Sequence, residues 1–462
     1  MEKLKINIYD WEKLDESRRE QLCRRVEASI PPEVIATVRE VIAAVELEGD
    51  EAVIRYSERF DKTHLETMPL RVTEEEFRQA EQSLAEDLKR AISFAVENVR
   101  RVHEEQRPGC LELCEVRPGV FAGERATAIP SVGLYVPRGR GSFPSVMYMQ
   151  AVPAVIAGVK RIAAVSPADQ EGGVDPACLY AARACGIEEF YRVGGIQGVA
   201  ALALGTRSIP KVDKILGPGS LYVAAAKRAL SHRVDVGPPA GPSEAIVLAD
   251  ESADPRRAAL DLITEAEHGS DSSAFLVTHD SALAGAVEGA LPALLAALDP
   301  GRAAFVRDVL AGYGGIVITG GLEQSIDFVN RYAPEHLQIA CREPFTLLGR
   351  IENAGEILLG QDSAFSMANY AAGCNNVIPT GGWARTASPL SVRAFLKSSS
   401  VVYVASEGVP SLSDAVASLA TYEGFSAHAL AVRRRGQGVA FDQTQATDPP
   451  GSNRSPSYPS TG

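Results

Sequence analysis

The chain has 462 residues, 59 acidic against 46 basic side chains, and a formal net charge of −13. With 45% hydrophobic and 23% charged residues it has the balance of a soluble globular protein, long enough for about two to four domains. The acid excess argues against a nucleic-acid partner, which needs a basic stripe over the phosphates, and no apolar run approaches the ~20 residues of a membrane span.

The opening MEKLKINIYDWEKLDES is charged and lacks the apolar core of a signal peptide, so a cytoplasmic protein is expected. Seven cysteines (Cys23, Cys110, Cys114, Cys178, Cys185, Cys341 and Cys374) form no CxxC pair, which predicts reduced thiols and no disulfide framework. After Pro31-Pro32, Val34, Ile35, Val38, Val41, Ile42 and Val45 recur at helical spacing. Glu74 to Glu105 reads as one long amphipathic helix.

Near Ala126 the pattern changes. Short apolar runs (VGLYV 132–136, RIAAVS 161–166, EEFYRVGG 188–195, KVDKILG 211–217) alternate with Ala-rich helical stretches, the rhythm of βαβ units and a parallel sheet. A second set follows at EAIVLAD 244–250, SAFLVTH 273–279, GGIVITG 314–320 and GEILLG 355–360. The fold class is therefore α/β with two α/β domains, closed by a helical segment over 409–435. From about Gly436 the composition turns to Pro, Ser, Thr, Gly and Gln, and the tail to residue 462 is expected to be disordered.

No strand is followed by GxGxxG or GxxxxGK[ST]. Glycine clusters at 137–141, 194–195 and 217–219 instead follow strands, where ligands sit on open α/β sheets, although plain turns explain them equally well. Glu265 and His268, three apart, share a helix face and form a possible half of a metal site, a spacing that solvated helices also show. Glu335-His336 sets an acid beside a base after Pro334, and adjacent residues on a regular element face different atoms.

The stretches GLYVPRG (133–139), VGGIQGVAALALGT (193–206), KVDKILGPGS (211–220), PAGPSEAIVLAD (239–250), EAEHGSDS (265–272), APEHLQI (333–339), NAGEILLG (353–360) and GCNNVIPTGG (373–382) resemble the histidinol dehydrogenase family. So do SPLSV (388–392) and AHALAV (427–432), in the same order over roughly residues 30–435.

The resemblance implies an NAD-dependent, zinc-containing homodimer that oxidises an alcohol through the aldehyde to the carboxylate. It implies two Rossmann-like domains without the glycine fingerprint: residues 31–134 with 244–384 for metal and substrate, and 135–243 for NAD. Residues 1–30 would be an extension and 385–435 a helical dimerisation arm. Glu335 would activate water and His336 would act as general base. Tyr135, Gln197 and Ser220 fall where the family contacts NAD, Ser220 replacing an asparagine. Ser243 and Glu423 fall at substrate-contacting positions.

Two departures stand out. The family's zinc ligands (glutamine, histidine, aspartate and a histidine from the other subunit) correspond to Glu265, His268, Asn369 and His428. The acid and the amide have changed places, the charge is conserved, and one retained zinc per subunit is the expectation. The family's substrate-gripping histidine is Asn376, neutral and shorter, which points to a polar alcohol other than histidinol. A genuine L-histidinol dehydrogenase of histidine biosynthesis and a catalytically silent binding homologue remain the alternatives.

Overall fold

The computed structural model describes residues 4–24, 30–138, 141–237 and 241–436. The predicted tail beyond Gly436, part of the glycine loop at 137–141 and residues 238–240 lie outside these residues.

The strands, in chain order, are β1 Ile8–Asp10, β2 Leu111–Arg117, β3 Val120–Ala128, β4 Ser131–Tyr135, β5 Arg161–Val165, β6 Phe190–Tyr191 and β7 Lys214–Leu216. They continue as β8 Glu244–Ala249, β9 Ser273–Thr278, β10 Gly315–Ile318, β11 His336–Ala340, β12 Glu356–Leu359 and β13 Leu396–Val404. The described residues divide into two compact units, 4–108 with 127–397, and 109–126 with 398–436.

The larger unit holds two parallel sheets, ordered β1-β10-β9-β8-β11-β12 and β6-β5-β4-β7. In the four-stranded sheet from β4, and in the six-stranded sheet from β8, the chain starts in a middle strand, builds outward on one side and then crosses to the other, the doubly wound pattern of α/β proteins, with β1 added at the edge beside β10. β8 and β9 are buried along their whole length, which is why they read as unbroken apolar runs. Alternate residues feed opposite faces: Ala245, Val247 and Ala249 enter one core with Leu262, Ile263 and Ala266, while Ile246 and Leu248 enter another with Phe328 and Val329.

Three expectations change. Residues 8–10 are an edge strand of the six-stranded sheet, and Trp11 is buried in its core, so the first thirty residues are not a mere extension. The helices over 32–105 pack on the four-stranded sheet, their Val38, Val45, Val96 and Val99 joining its cores, rather than on the sheet formed by 244–384. The single helix over 74–105 is two, Glu74–Ser83 and Glu86–Glu105, because Leu84 and Ala85 are extended. Leu84 packs inward there, and Glu86 and Asp87 suit the new helix N-terminus.

The smaller unit carries β2 and most of β3 and β13, in the order β13-β3-β2, with helices Val409–Tyr422 and Ser426–Gly436. Gly424, at φ +81°, separates the two helices of the helical segment expected over 409–435. No helix of the described residues is long and apolar enough to cross a membrane.

Candidate active site

The chemistry-bearing residues gather at the amino edge of the six-stranded sheet. The helix Pro255–Ala266 leaves the carboxyl end of β8 and runs back along the sheet, returning Glu265 and His268 to the edge where β11 begins. His336 opens β11 on the face covered by that helix, and its Nε2 lies 4.0 Å from Glu265 Oε2. The expected place, the carboxyl ends of strands, is therefore not where these residues meet.

Glu335 precedes the strand. The helix Leu322–Tyr332 ends at Ala333, a non-glycine residue at φ 55°, and this left-handed turn delivers Pro334 and Glu335 to the sheet edge. Glu335 Oε1 comes within 3.9 Å of His336 Nε2, and Oε2 accepts 2.9 Å from the Glu244 backbone N–H. The neighbours thus converge on one space, contrary to the simple alternation of a strand. Gly355 makes this possible from the other side: a Cβ there would stand 2.2 Å from Ile378 Cγ2 and 2.7 Å from the Glu335 carbonyl oxygen.

Burial is nearly complete for Glu335, His336, Glu244 and Glu265. For Glu335, desolvation dominates and the Glu265 carboxylate adds to it, so its pKa is pushed up to about 8 against the pull of His336. Burial opposes charge on His336, but the carboxylates of Glu265, Glu335 and Glu356 outweigh it and raise the imidazole to about 10.

Glu265 Oε1 accepts 2.6 Å from Asn369 Nδ2. A carboxylate cannot donate, so the amide must turn its NH₂ toward Glu265, which leaves Oδ1 as the atom available to an ion. Glu265 Oε2 is buried without a hydrogen-bond partner and lies 3.4 Å from Nε2 of the half-exposed His268. Tetrahedral zinc ligands at about 2.0–2.1 Å from the metal stand about 3.3–3.4 Å apart, so the two atoms are spaced as neighbouring ligands. The helix C-terminus beneath them adds partial negative charge. The donor set fits a divalent ion.

A profile of the histidinol dehydrogenase family matches residues 24–436. The chain is 52% identical to a Synechocystis protein named histidinol dehydrogenase, over 90% of this chain and 95% of that one. It is 49% identical to "Histidinol dehydrogenase homolog 2" of Mesorhizobium japonicum, over 92% and 97%. The crystal structure of histidinol dehydrogenase from Elizabethkingia anophelis superposes with a TM-score of 0.89 at 33% identity, covering 94% of this chain and 98% of that one. The chain belongs to the histidinol dehydrogenase family. Its members are dehydrogenases, and the mixed α/β architecture is theirs.

The remaining expected positions are dispersed around this family framework. Asn376 Nδ2 donates 2.8 Å to the Asn369 carbonyl, and its Oδ1 is buried without a hydrogen-bond partner. Ser243, just before β8, is partly buried and its carbonyl accepts from Ser273 N–H. Tyr135 and Gln197 are buried beside the four-stranded sheet: the Tyr135 hydroxyl accepts 3.0 Å from Gly195 N–H, and Gln197 Nε2 donates 2.8 Å to Asp61. Ser220 is the exposed N-cap residue of helix Leu221–Leu230. Glu423 and His428 belong to the smaller unit, where both are exposed, and the His428 ring lies 5.3 Å from that of Phe425.

Sequence patterns missed Glu244 and Glu356. Glu244 anchors the turn at 381 through Gly381 N–H, 3.0 Å from its Oε1. Glu356 Oε2 lies 2.9 Å from His336 Nδ1. The available signal was small: each acid is the first residue of an apolar run.

Proposed function

We propose that this protein oxidises a polar amino alcohol through the aldehyde to the carboxylate, using NAD and one zinc ion per subunit, as a homodimer with a shared active site. The observation that carries the reading is the buried Glu335–His336 pair, 3.9 Å apart, with His336 Nε2 4.0 Å from the Glu265 oxygen that has no hydrogen-bond partner. Glu265, His268 and Asn369, with the partner subunit's His428, would hold the zinc. When bound, the ion orients and polarises the heteroatoms of the substrate.

His336 takes the proton of the alcohol at Nε2 while the hydride leaves to NAD. For the second oxidation Glu335 takes a proton from the water that adds to the aldehyde, and the hydrate then loses its hydride to a second NAD. The sum is one alcohol, two NAD and one water giving one carboxylate, two NADH and three protons. The raised pKa values make both groups strong proton acceptors once they have lost their own protons.

Three glutamates, at 265, 335 and 356, lie within 4.0 Å of the His336 imidazole, and this acidic surround favours a cationic substrate such as a protonated amine. Asn376 stands where the family carries its substrate-gripping histidine, which favours a substrate other than histidinol. L-Histidinol itself is the second reading, supported by the 52% identity to the Synechocystis protein. A silent homologue would have little use for so costly a buried cluster.

The homodimer reading draws on the smaller unit, which leaves Tyr422, Leu419, Phe425 and Leu430 between 53% and 92% exposed. A second copy is the expected cover. Free cysteines, three of them exposed, suit a reducing cytoplasm. Growth rescue of a histidinol-dehydrogenase-deficient strain separates the two substrate readings: rescue supports L-histidinol, and failure by a protein that turns over another amino alcohol supports the first.

A further inference from the structure

His336 is held by a carboxylate on the side away from the converging Glu335 and Glu265. β11 and β12 pair in parallel with His336 directly opposite Glu356, so both side chains leave the same face of the sheet. The backbone between them is fixed, because Gly355 and Glu356 donate their N–H groups to the Pro334 and Glu335 carbonyls at 2.9 and 2.8 Å. The two side chains are 3% and 8% exposed, and Phe365 meets the imidazole edge-on at 5.8 Å. Rotation of the ring is thereby restricted from two directions.

An ionised carboxylate only accepts, so Nδ1 must be the donor in the 2.9 Å contact. When the imidazole is neutral, the free lone pair is then on Nε2, the atom facing Glu335 Oε1 and Glu265 Oε2. A serine or glutamine would provide an acceptor more cheaply than a carboxylate buried this deeply. An acid is favoured there when positive charge develops on its partner, as it does when Nε2 takes a proton.

We propose that Glu356 is a positioning residue for His336: it fixes the Nδ1–H tautomer and the ring orientation, making Nε2 the proton acceptor. This rests on the reading of His336 as the base. Glu356→Ala should lower kcat about 10–100-fold, with KM for alcohol and NAD within about twofold. Glu356→Gln keeps an acceptor for Nδ1–H and should lose less than Glu356→Ala. Added formate should restore part of the Glu356→Ala rate and leave the unsubstituted enzyme unchanged.

The second measurement is independent of turnover. The zinc-loaded protein should show a far-downfield proton resonance from the Nδ1–H···carboxylate bond, absent from His336→Asn and from Glu356→Ala. Loss of that resonance in a protein that oxidises no amino alcohol would support the positioning and overturn the proposed activity. An active protein whose Glu356→Ala form keeps its kcat would overturn the positioning alone. Equal losses in the Ala and Gln variants, with raised KM, a lowered Tm and no formate rescue, would assign Glu356 a purely structural role and overturn it too.

Discussion

Replacing Asp61 by asparagine should stabilise the protein at neutral pH. Asp61 ends the short π-helix Ser57–Asp61 and accepts 2.8 Å from Nε2 of the fully buried Gln197, whose Oε1 has no hydrogen-bond partner. Burial is the main cause that pushes the Asp61 carboxyl from 3.8 to about 6, against the Gln197 hydrogen bond. At about 1.4 kcal/mol per tenfold, ionising it in the fold costs about 3 kcal/mol, and partial exposure reduces this to about 1–3 kcal/mol. The introduced amide keeps an acceptor for Gln197 Nε2 and adds a donor for its Oε1.

The folded pKa lies above the unfolded one. The neutral carboxyl therefore contributes its full stability below about pH 4, and that stability is lost as pH rises through about 6. The advantage of Asp61→Asn should be small near pH 4 and complete by about pH 8. Urea unfolding at the two pH values, at unchanged m, measures it. A variant less stable than the parent at about pH 8, or a gain equal at both pH values, would refute the reasoning. Asp61 also faces the Gln197 and Tyr135 cluster where NAD is expected, so the gain should come with a higher KM for NAD.

Three further outcomes follow from the cluster at the sheet edge. His336→Asn should slow both alcohol and aldehyde oxidation by about 10²–10⁴-fold, whereas Glu335→Gln should spare the alcohol step, as separate assays with each substrate would reveal. Because His336 must lose its proton to act as a base and its pKa is raised, the rate of alcohol oxidation should climb with pH above the ordinary histidine range of about 6.5, and Glu265→Gln should move that limb to lower pH. Glu265→Gln should also weaken zinc binding strongly, and adding Asn369→Asp should recover much of the loss. Zinc content and affinity across the four proteins at one pH give the coupling, and simple additivity would count against a shared ion.

The strands buried on both faces were legible because their apolar runs are continuous, as at 244–250 and 273–279. β1 was not: its Ile8-Tyr9-Asp10 is short and half exposed, and only its pairing with β10 marks it as a strand. The location of the chemistry was also hidden. Glycine loops after strands drew attention to the carboxyl edge, whereas the return path of helix Pro255–Ala266 places Glu265 at the opposite edge. The Glu356–His336 contact depends on strand register between residues twenty positions apart, which no local pattern records. Glu265 and Asn369, by contrast, were both singled out by the resemblance, and the structure joins them through a 2.6 Å amide–carboxylate hydrogen bond.

The most direct test of the proposed chemistry is the NADH yield per alcohol consumed, measured to completion with the zinc-loaded protein and a panel of amino alcohols that includes L-histidinol. Two NADH per alcohol, with the carboxylate as product, is the predicted result. A protein that binds zinc and NAD yet stops at one NADH with aldehyde released, or forms none with any amino alcohol, would contradict it.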